Sequence, residues 1–230
     1  MLNFCKYFGN YFCIQSFQVH LHRNFNSSED VKMKEKIIAK AKELFLKLGF
    51  KSITMDDIAG EMCISKKTIY KYFANKELLI EESVGIIHKE VHELIDKAIS
   101  RNLNPIEENF EIRRMFGDMF KSSDTSPIYQ LKKHYPEIFK NALKFQIDEC
   151  EFCFRQNIEK GIAQGLYRKE INVESYIKFY YYLIFNINEN TILEREAFAL
   201  ELDALEYHTR AMATTKGILE LEKHLLNPNI

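Results

Sequence analysis

From residue 33 onward the apolar positions recur with the three- and four-residue steps of amphipathic helices. Ile37, Ile38, Ala41, Leu44, Phe45 and Leu48 form one stripe, and Gly49 follows where a helix commonly stops in a left-handed residue. Thr54 and Asp57 have the spacing of a capping box, which predicts a short helix through Ile58, Ala59 and Met62. After a tight turn, Ser65 can cap another short helix, Lys66 to Phe73. Asn75 caps a long one, whose stripe of Ile80, Val84, Ile87, Val91, Leu94, Ile95 and Ala98 runs to about Arg101.

Farther along, Asn104-Pro105 and Ser126-Pro127 each set a cap before a proline at the first helical position, and Pro136 can open a helix likewise. Leu143, Ile147, Cys150, Phe154 and Ile158 trace a long helix closing near Gly165. Asn172 caps another through Ile187, and a last one is predicted from about Leu202 to Leu225. No strand-type alternation and no internal repeat stand out. The predicted fold class is all-α, with about nine helices.

The first 32 residues break this pattern, with Phe4, Tyr7, Phe8, Tyr11, Phe12, Phe17 and Phe25 at no helical or strand period. They lack the basic start, aliphatic stretch and small-residue cleavage site of a signal peptide. Read from sequence, residues 1–32 are a disordered tail, a docking arm, or upstream sequence preceding a true start at Met33.

Composition narrows the class. Glycine and proline number 8 and 4 of 230 residues, too few for folds built on tight turns. Five cysteines without framework spacing point to a reducing, cytoplasmic setting, and no run is long and apolar enough to span a membrane. The net charge of -1 hides an asymmetry: residues 34–80 carry ten bases and six acids, whereas the remainder carries 22 bases and 27 acids. A basic head on an acidic body directs the head toward a polyanion.

The informative stretch within that head is Ser65-Lys66-Lys67-Thr68-Ile69-Tyr70-Lys71-Tyr72-Phe73. Ile69 and Phe73 share one helix face and are expected to pack inward, near Ile58. That leaves Lys66, Lys67, Thr68, Tyr70, Lys71 and Tyr72 largely outside. Lysines supply charge to phosphates, and Thr and Tyr hydroxyls supply directional hydrogen bonds. Such a helix fits a major groove about 12 Å wide. The competing interpretation is a solvated lysine-rich face, which seldom carries two exposed tyrosines.

Residues 34–80 also resemble the N-terminal domain of the TetR family of bacterial transcriptional regulators. The match runs through Leu48-Gly49-Phe50, Ser52-Ile53-Thr54-Met55-Asp56-Asp57-Ile58-Ala59, Ile64 to Phe73 and Asn75-Lys76-Glu77-Leu78-Leu79, about a fifth of the chain. A weaker likeness to the family's C-terminal domain covers Ile158 to Arg168. The resemblance implies a three-helix, helix-turn-helix DNA-binding domain at residues 33–80 and a helical effector-binding and dimerisation domain at 81–230. It implies phosphate contacts by Thr54, Lys76, Tyr70 and Tyr72, and base or phosphate contacts by Lys66, Lys67 and Thr68; Ser65 and Lys71 complete the candidate set. The family usually has glycine where this chain has Cys63, so a left-handed turn there costs about 1 kcal/mol more.

By the same resemblance the protein is a homodimer through its last two predicted helices, bound to a palindromic operator and released by a small-molecule effector. Candidates for the effector pocket are Phe116, Met119, Phe120, Tyr129, Phe154 and Tyr181, drawn from a wider set that adds Phe110, Met115, Phe139, Phe145, Phe152, Tyr180 and Phe185. Any single aromatic at helical spacing more commonly packs in the core. Cys150 and Cys153 lack a second metal-binding pair, His88 and His92 lack a third ligand, and Cys63 is expected to be a buried free thiol. No catalytic motif occurs, and no cofactor or metal is expected. The functional expectation is therefore a ligand-responsive, DNA-binding repressor that is not an enzyme. The alternative is a helical protein-interaction module with a basic surface and no sequence-specific DNA binding.

Overall fold

The structure, a computed structural model, describes residues 28–226, with only the backbone described for 144–149. The described residues form ten helices and no strand. These are α1 (Ser28–Leu48), α2 (Met55–Glu61), α3 (Lys66–Tyr72), α4 (Lys76–Ser100) and α5 (Pro105–Phe120), then α6 (Pro127–His134), α7 (Pro136–Ala163), α8 (Val173–Asn190), α9 (Glu194–Met212) and α10 (Thr215–Leu226). None is long and apolar enough to cross a membrane.

The chain divides into two units between Ile37 and Ile38, inside α1. Of the first, residues 28–37 are described, as the opening turns of α1 with Glu29 and Asp30 at its amino end. Residues 28–32, assigned by sequence to the tail, are thus helical, while the aromatic residues from Phe4 to Phe25 lie outside the described residues.

Local chemistry sets most helix starts in the second unit. Thr54, Ser65, Asn75, Asn104, Ser126 and Asn172 each accept a hydrogen bond from a backbone N–H of the following turn. Pro105, Pro127 and Pro136 occupy first-turn positions where a missing N–H costs nothing. Gly49 (φ +93°) and Gly165 (φ +71°) adopt the left-handed conformation expected after α1 and α7.

The predicted final helix is two helices. Arg168 N donates to Met212 O (2.8 Å) and Thr214 N to Leu166 O (2.9 Å), which pulls residues 212–214 out of the helical path. Thr214 Oγ1 then accepts from Gly217 N and begins α10.

The core of this unit gathers Ile106 and Phe110 of α5, Ile158 of α7, Leu166 and Tyr167, Ile177 of α8, Leu205 and Met212 of α9, and Leu221 of α10. Each such side chain contributes about 1.5–3 kcal/mol through burial. A Cβ on Gly161 would lie 2.0 Å from the Tyr167 ring, so glycine is what allows the ring against α7. Tyr167 Oη donates to Asn157 Oδ1 (3.4 Å). Asn157 Nδ2 donates to Pro105 O and to Glu108 Oε1, both at 2.9 Å, and Lys160 Nζ pairs with Glu108 Oε2 at 2.7 Å. The buried Glu108 carboxylate is therefore satisfied, and it ties α5 to α7.

Residues 38–80 join the remaining helices through a small polar contact. Gln130 of α6, itself buried, accepts from Phe50 N at 2.8 Å, and Tyr135 Oη donates to Phe50 O at 3.3 Å. Phe50 is fully buried and stacks on Phe45 of α1, with centroids 5.4 Å apart. Lys42 of α1 pairs with Glu90 of α4 alongside. The long α4, about 37 Å at 1.5 Å per residue, runs from the head into the body.

Candidate nucleic-acid interface

A double capping arrangement builds the surface around α2 and α3. Thr54 Oγ1 accepts from Asp57 N (3.2 Å), and Asp57 Oδ2 accepts from Thr54 N (2.8 Å) and from the Thr54 hydroxyl (2.7 Å). These bonds hold the Asp57 carboxyl below the usual carboxylate range. They also give the exposed Thr54 hydroxyl an internal acceptor, so a phosphate would compete with Asp57 for its proton.

The turn that follows closes as a Schellman motif. Ile64 N donates to Ala59 O and Cys63 N to Gly60 O, both at 3.0 Å. Cys63 sits at its left-handed position with φ +53°. This backbone places the thiol outside: Cys63 is exposed, not the buried thiol expected from sequence.

Ser65 then caps α3, accepting from Thr68 N at 3.1 Å, with its hydroxyl 2.8 Å from that of Thr68. Ile58 and Ile69 are fully buried and Phe73 nearly so, which anchors α3 by one face. On the opposite side Ser65, Lys66, Lys67, Tyr70 and Lys71 are exposed, while Thr68 and Tyr72 are half-buried. The sequence thus placed Thr68 and Tyr72 farther outside than they are.

Internal contacts orient the lysines. Lys66 pairs with Asp56 of α2 at 2.8 Å, which raises its pKa, and its ammonium lies 5.8 Å from the Tyr70 ring. Lys71 lies 5.2 Å from the ring of Tyr72. Such exposed pairs contribute little stability. They hold the cations over one face, where phosphate can replace the carboxylate.

Lys76 stands apart. Its Nζ donates to Lys51 O at 3.1 Å and lies 6.0 Å from the Phe45 ring and 5.9 Å from the Tyr135 ring. Burial lowers its pKa. The ammonium has three protons, so it can brace the loop before α2 and still offer a donor outward. Sequence reasoning missed this bracing, together with Gln130 and Tyr135, because their partners lie far away along the chain.

One of the expected pocket residues lines a cavity of the structure. A cavity of about 590 Å³ opens between α5 and α9, and of the six candidates only Phe120 is among its lining residues. Tyr129 accepts from Lys133 Nζ at 3.1 Å, Phe154 packs edge-on to Tyr180 at 5.1 Å, and Tyr181 stacks on Phe185 at 4.2 Å. Phe116 and Met119 are half-buried on α5. The Phe145 side chain lies outside the described residues. Sequence reasoning passed over the charged wall of the cavity, Arg113, Arg114, Glu194 and Arg195, because charged residues on helices usually face solvent. Burial and the nearby Glu201 carboxyl push the Glu194 carboxyl up to about 7.

This surface is similar to that of known proteins. The family model described as "Bacterial regulatory proteins, tetR family" matches residues 37–83, which span α2, α3 and their caps. YhgD of Bacillus subtilis (strain 168), described as an uncharacterized HTH-type transcriptional regulator, is 28% identical over 174 residues, 72% of this chain and 90% of its own length. The biofilm operon icaADBC negative transcriptional regulator IcaR of Staphylococcus aureus (strain Newman) is 28% identical over 142 residues, 57% of this chain and 68% of its own. Among solved structures, a TetR-family regulator from Agrobacterium tumefaciens superposes with a TM-score of 0.63 at 14% identity, covering 80% of this chain and all of the other. A transcriptional regulator from Cytophaga hutchinsonii ATCC 33406 gives 0.61 at 20% identity, covering 78% and 98%. These structures share the fold.

Proposed function

We propose that this chain, which belongs to the TetR family of bacterial transcriptional regulators, is a cytoplasmic homodimeric repressor that an effector releases from a palindromic operator. The observation that carries the reading is the exposed Lys/Tyr face of α3, presented by two capped helices and a left-handed turn. In this reading α3 enters the major groove. Ser65, Lys66, Lys67 and Thr68 meet base edges or nearby phosphates, and Thr54, Tyr70, Lys71, Tyr72 and Lys76 meet the backbone. Membership in a family of DNA-binding regulators disfavours the interaction-module alternative, and relatives named as transcriptional regulators leave an enzymatic role without support.

A dimer follows from the economics of recognition: one seven-residue helix reads few base pairs, and a two-fold pair doubles the contacts. The face we assign to it is apolar and exposed. Phe179 and Tyr182 of α8 are each 64% exposed, with Leu183 beside them, and Tyr207 of α9 is 71% exposed with Leu200 one heptad before. Phe179, Tyr182 and Leu183 lie at i, i+3 and i+4, a single stripe. Leu219 of α10 is also exposed.

Release is a population shift. An effector that favours a body conformation in which the two heads no longer match successive major grooves lowers operator affinity by its differential affinity for the two states. The contact of Gln130 and Tyr135 with Phe50, with α4 beside it, supports transmission from body to head. Operator binding measured with and without the effector tests the reading. An unchanged affinity at saturating effector would refute it.

A further inference from the structure

The cavity between α5 and α9 has walls that DNA recognition does not use. Arg113, Arg114, Lys121 and Arg195 face it against Asp118 and Glu194, an excess of two positive charges. Phe120, Phe198 and Leu202 supply its apolar surface.

The polar groups are unequally engaged. Arg114 is committed to Glu111 at 2.8 Å and to Asp118 at 3.1 Å. Arg113 donates through Nη2 to Phe198 O at 2.7 Å and lays its guanidinium 3.6 Å from the Phe198 ring centre, but its buried Nε–H has no partner. Ser123, only 7% exposed, has a buried hydroxyl without a partner, and so does one buried oxygen of Glu194. Buried polar atoms are nearly always satisfied, so orphans in the wall of a cavity mark where a ligand's polar group belongs.

We propose that this cavity binds an amphipathic monocarboxylate, its head on Arg113 Nε and Ser123 Oγ and its apolar body against Phe120, Phe198 and Leu202. A cationic ligand would meet the positive excess of the lining, and a neutral one would leave the guanidinium N–H without an anionic acceptor. Glu194 does not oppose a carboxylate near neutral pH, because its raised pKa leaves much of it protonated and able to donate. The site also sits where it can be heard. Lys121 and Ser123 belong to the segment entering α6, Glu194 N donates to Asp124 O, and α6 carries Gln130, the acceptor for Phe50 N. The inference rests on the effector-responsive reading for this consequence, not for binding itself.

The test titrates the full-length protein with 2-naphthoate, 2-naphthalenemethanol and 2-naphthylmethylamine, following naphthalene emission, which no tryptophan obscures because the chain has none. Decanoate serves as a competing aliphatic carboxylate. Naphthoate should saturate and bind at least about tenfold more tightly than the alcohol or the amine, the worth of one charge-assisted hydrogen bond. Arg113→Met should remove that preference and leave the alcohol's affinity within about twofold, with Ser123→Ala losing a smaller part and Glu194→Gln retaining it. Should Arg113→Met fail to fold, judged by its melting transition, Ser123→Ala decides. Equal affinity for the three probes, tighter binding of the amine, a preference unchanged in both variants, or no saturable binding of either carboxylate would overturn the proposal. Naphthoate binding that leaves operator affinity unchanged supports the site and overturns the effector reading alone.

Discussion

Replacing Gln130 by alanine isolates the contact through which the body holds the DNA-reading head. In the native protein Gln130 Oε1 accepts from Phe50 N at 2.8 Å, and both residues are buried. Alanine leaves that N–H without an acceptor, which costs about 1–3 kcal/mol in desolvation. For a chain of this size each kcal/mol moves the melting temperature by about 2–4 °C, so a fall of about 2–12 °C is expected by calorimetry. If the same bond carries the effector's signal, the effector-induced loss of operator affinity should shrink, by a factor of up to about 5–150 for that energy. Tyr135→Phe removes the longer bond to Phe50 O at 3.3 Å and should cost less, about 0.5–1.5 kcal/mol. The two lesions share Phe50, so a double-mutant cycle should show non-additivity. A melting temperature within about 1 °C of the native value, together with an intact effector response, would refute the reasoning.

Lys67→Ala should weaken DNA binding about uniformly across sequences and lower the salt slope by about one, measured by titration at several ionic strengths; an unchanged slope removes Lys67 from the phosphate contacts. Cys63→Gly should stabilise the protein by up to about 1 kcal/mol, because glycine relieves the left-handed strain at φ +53° but gains entropy when unfolded; chemical denaturation that finds a loss would contradict this. His208 stacks on Tyr180 at 4.3 Å, and burial lowers its pKa to about 4. The unfolded chain therefore binds the extra proton first, and His208 contributes stability above about pH 6.5 that is lost as the pH falls toward 4. Glu194, raised to about 7, acts oppositely, its stabilisation fading as pH rises through that value. In pH-dependent melting, His208→Gln should flatten the acid limb, and an acid limb as steep as the native one would count against the assignment.

The sequence was most legible where structure is local. The caps at Thr54, Ser65 and Asn75 bind N–H groups within the next turn, so residue type and spacing were enough to place α2, α3 and the start of α4. The break at Thr214 was not legible, because pairing with residues 166–168 imposes it through an apolar stretch that reads as continuous helix. Cys63 was correctly placed in a left-handed turn, but its exposure follows from the direction in which that backbone points the side chain. Lys76 reads as a phosphate ligand by resemblance, whereas its contact with Lys51 O depends on how a distant loop folds back. The cavity was the least legible feature. Arg113, Ser123 and Glu194 come from α5, a loop and α9, and only packing leaves one buried polar atom of each without a partner.

Selection of bound sequences from a random duplex pool at about 0.15 M salt tests the central claim most directly, because electrostatic binding alone enriches no sequence. A palindrome is expected whose half-sites are separated by about one or two helical turns, with loss of that consensus when the α3 face is altered at Lys66 and Thr68. Tight binding without a consensus, or a single asymmetric site, would contradict a dimeric repressor that reads its operator through α3.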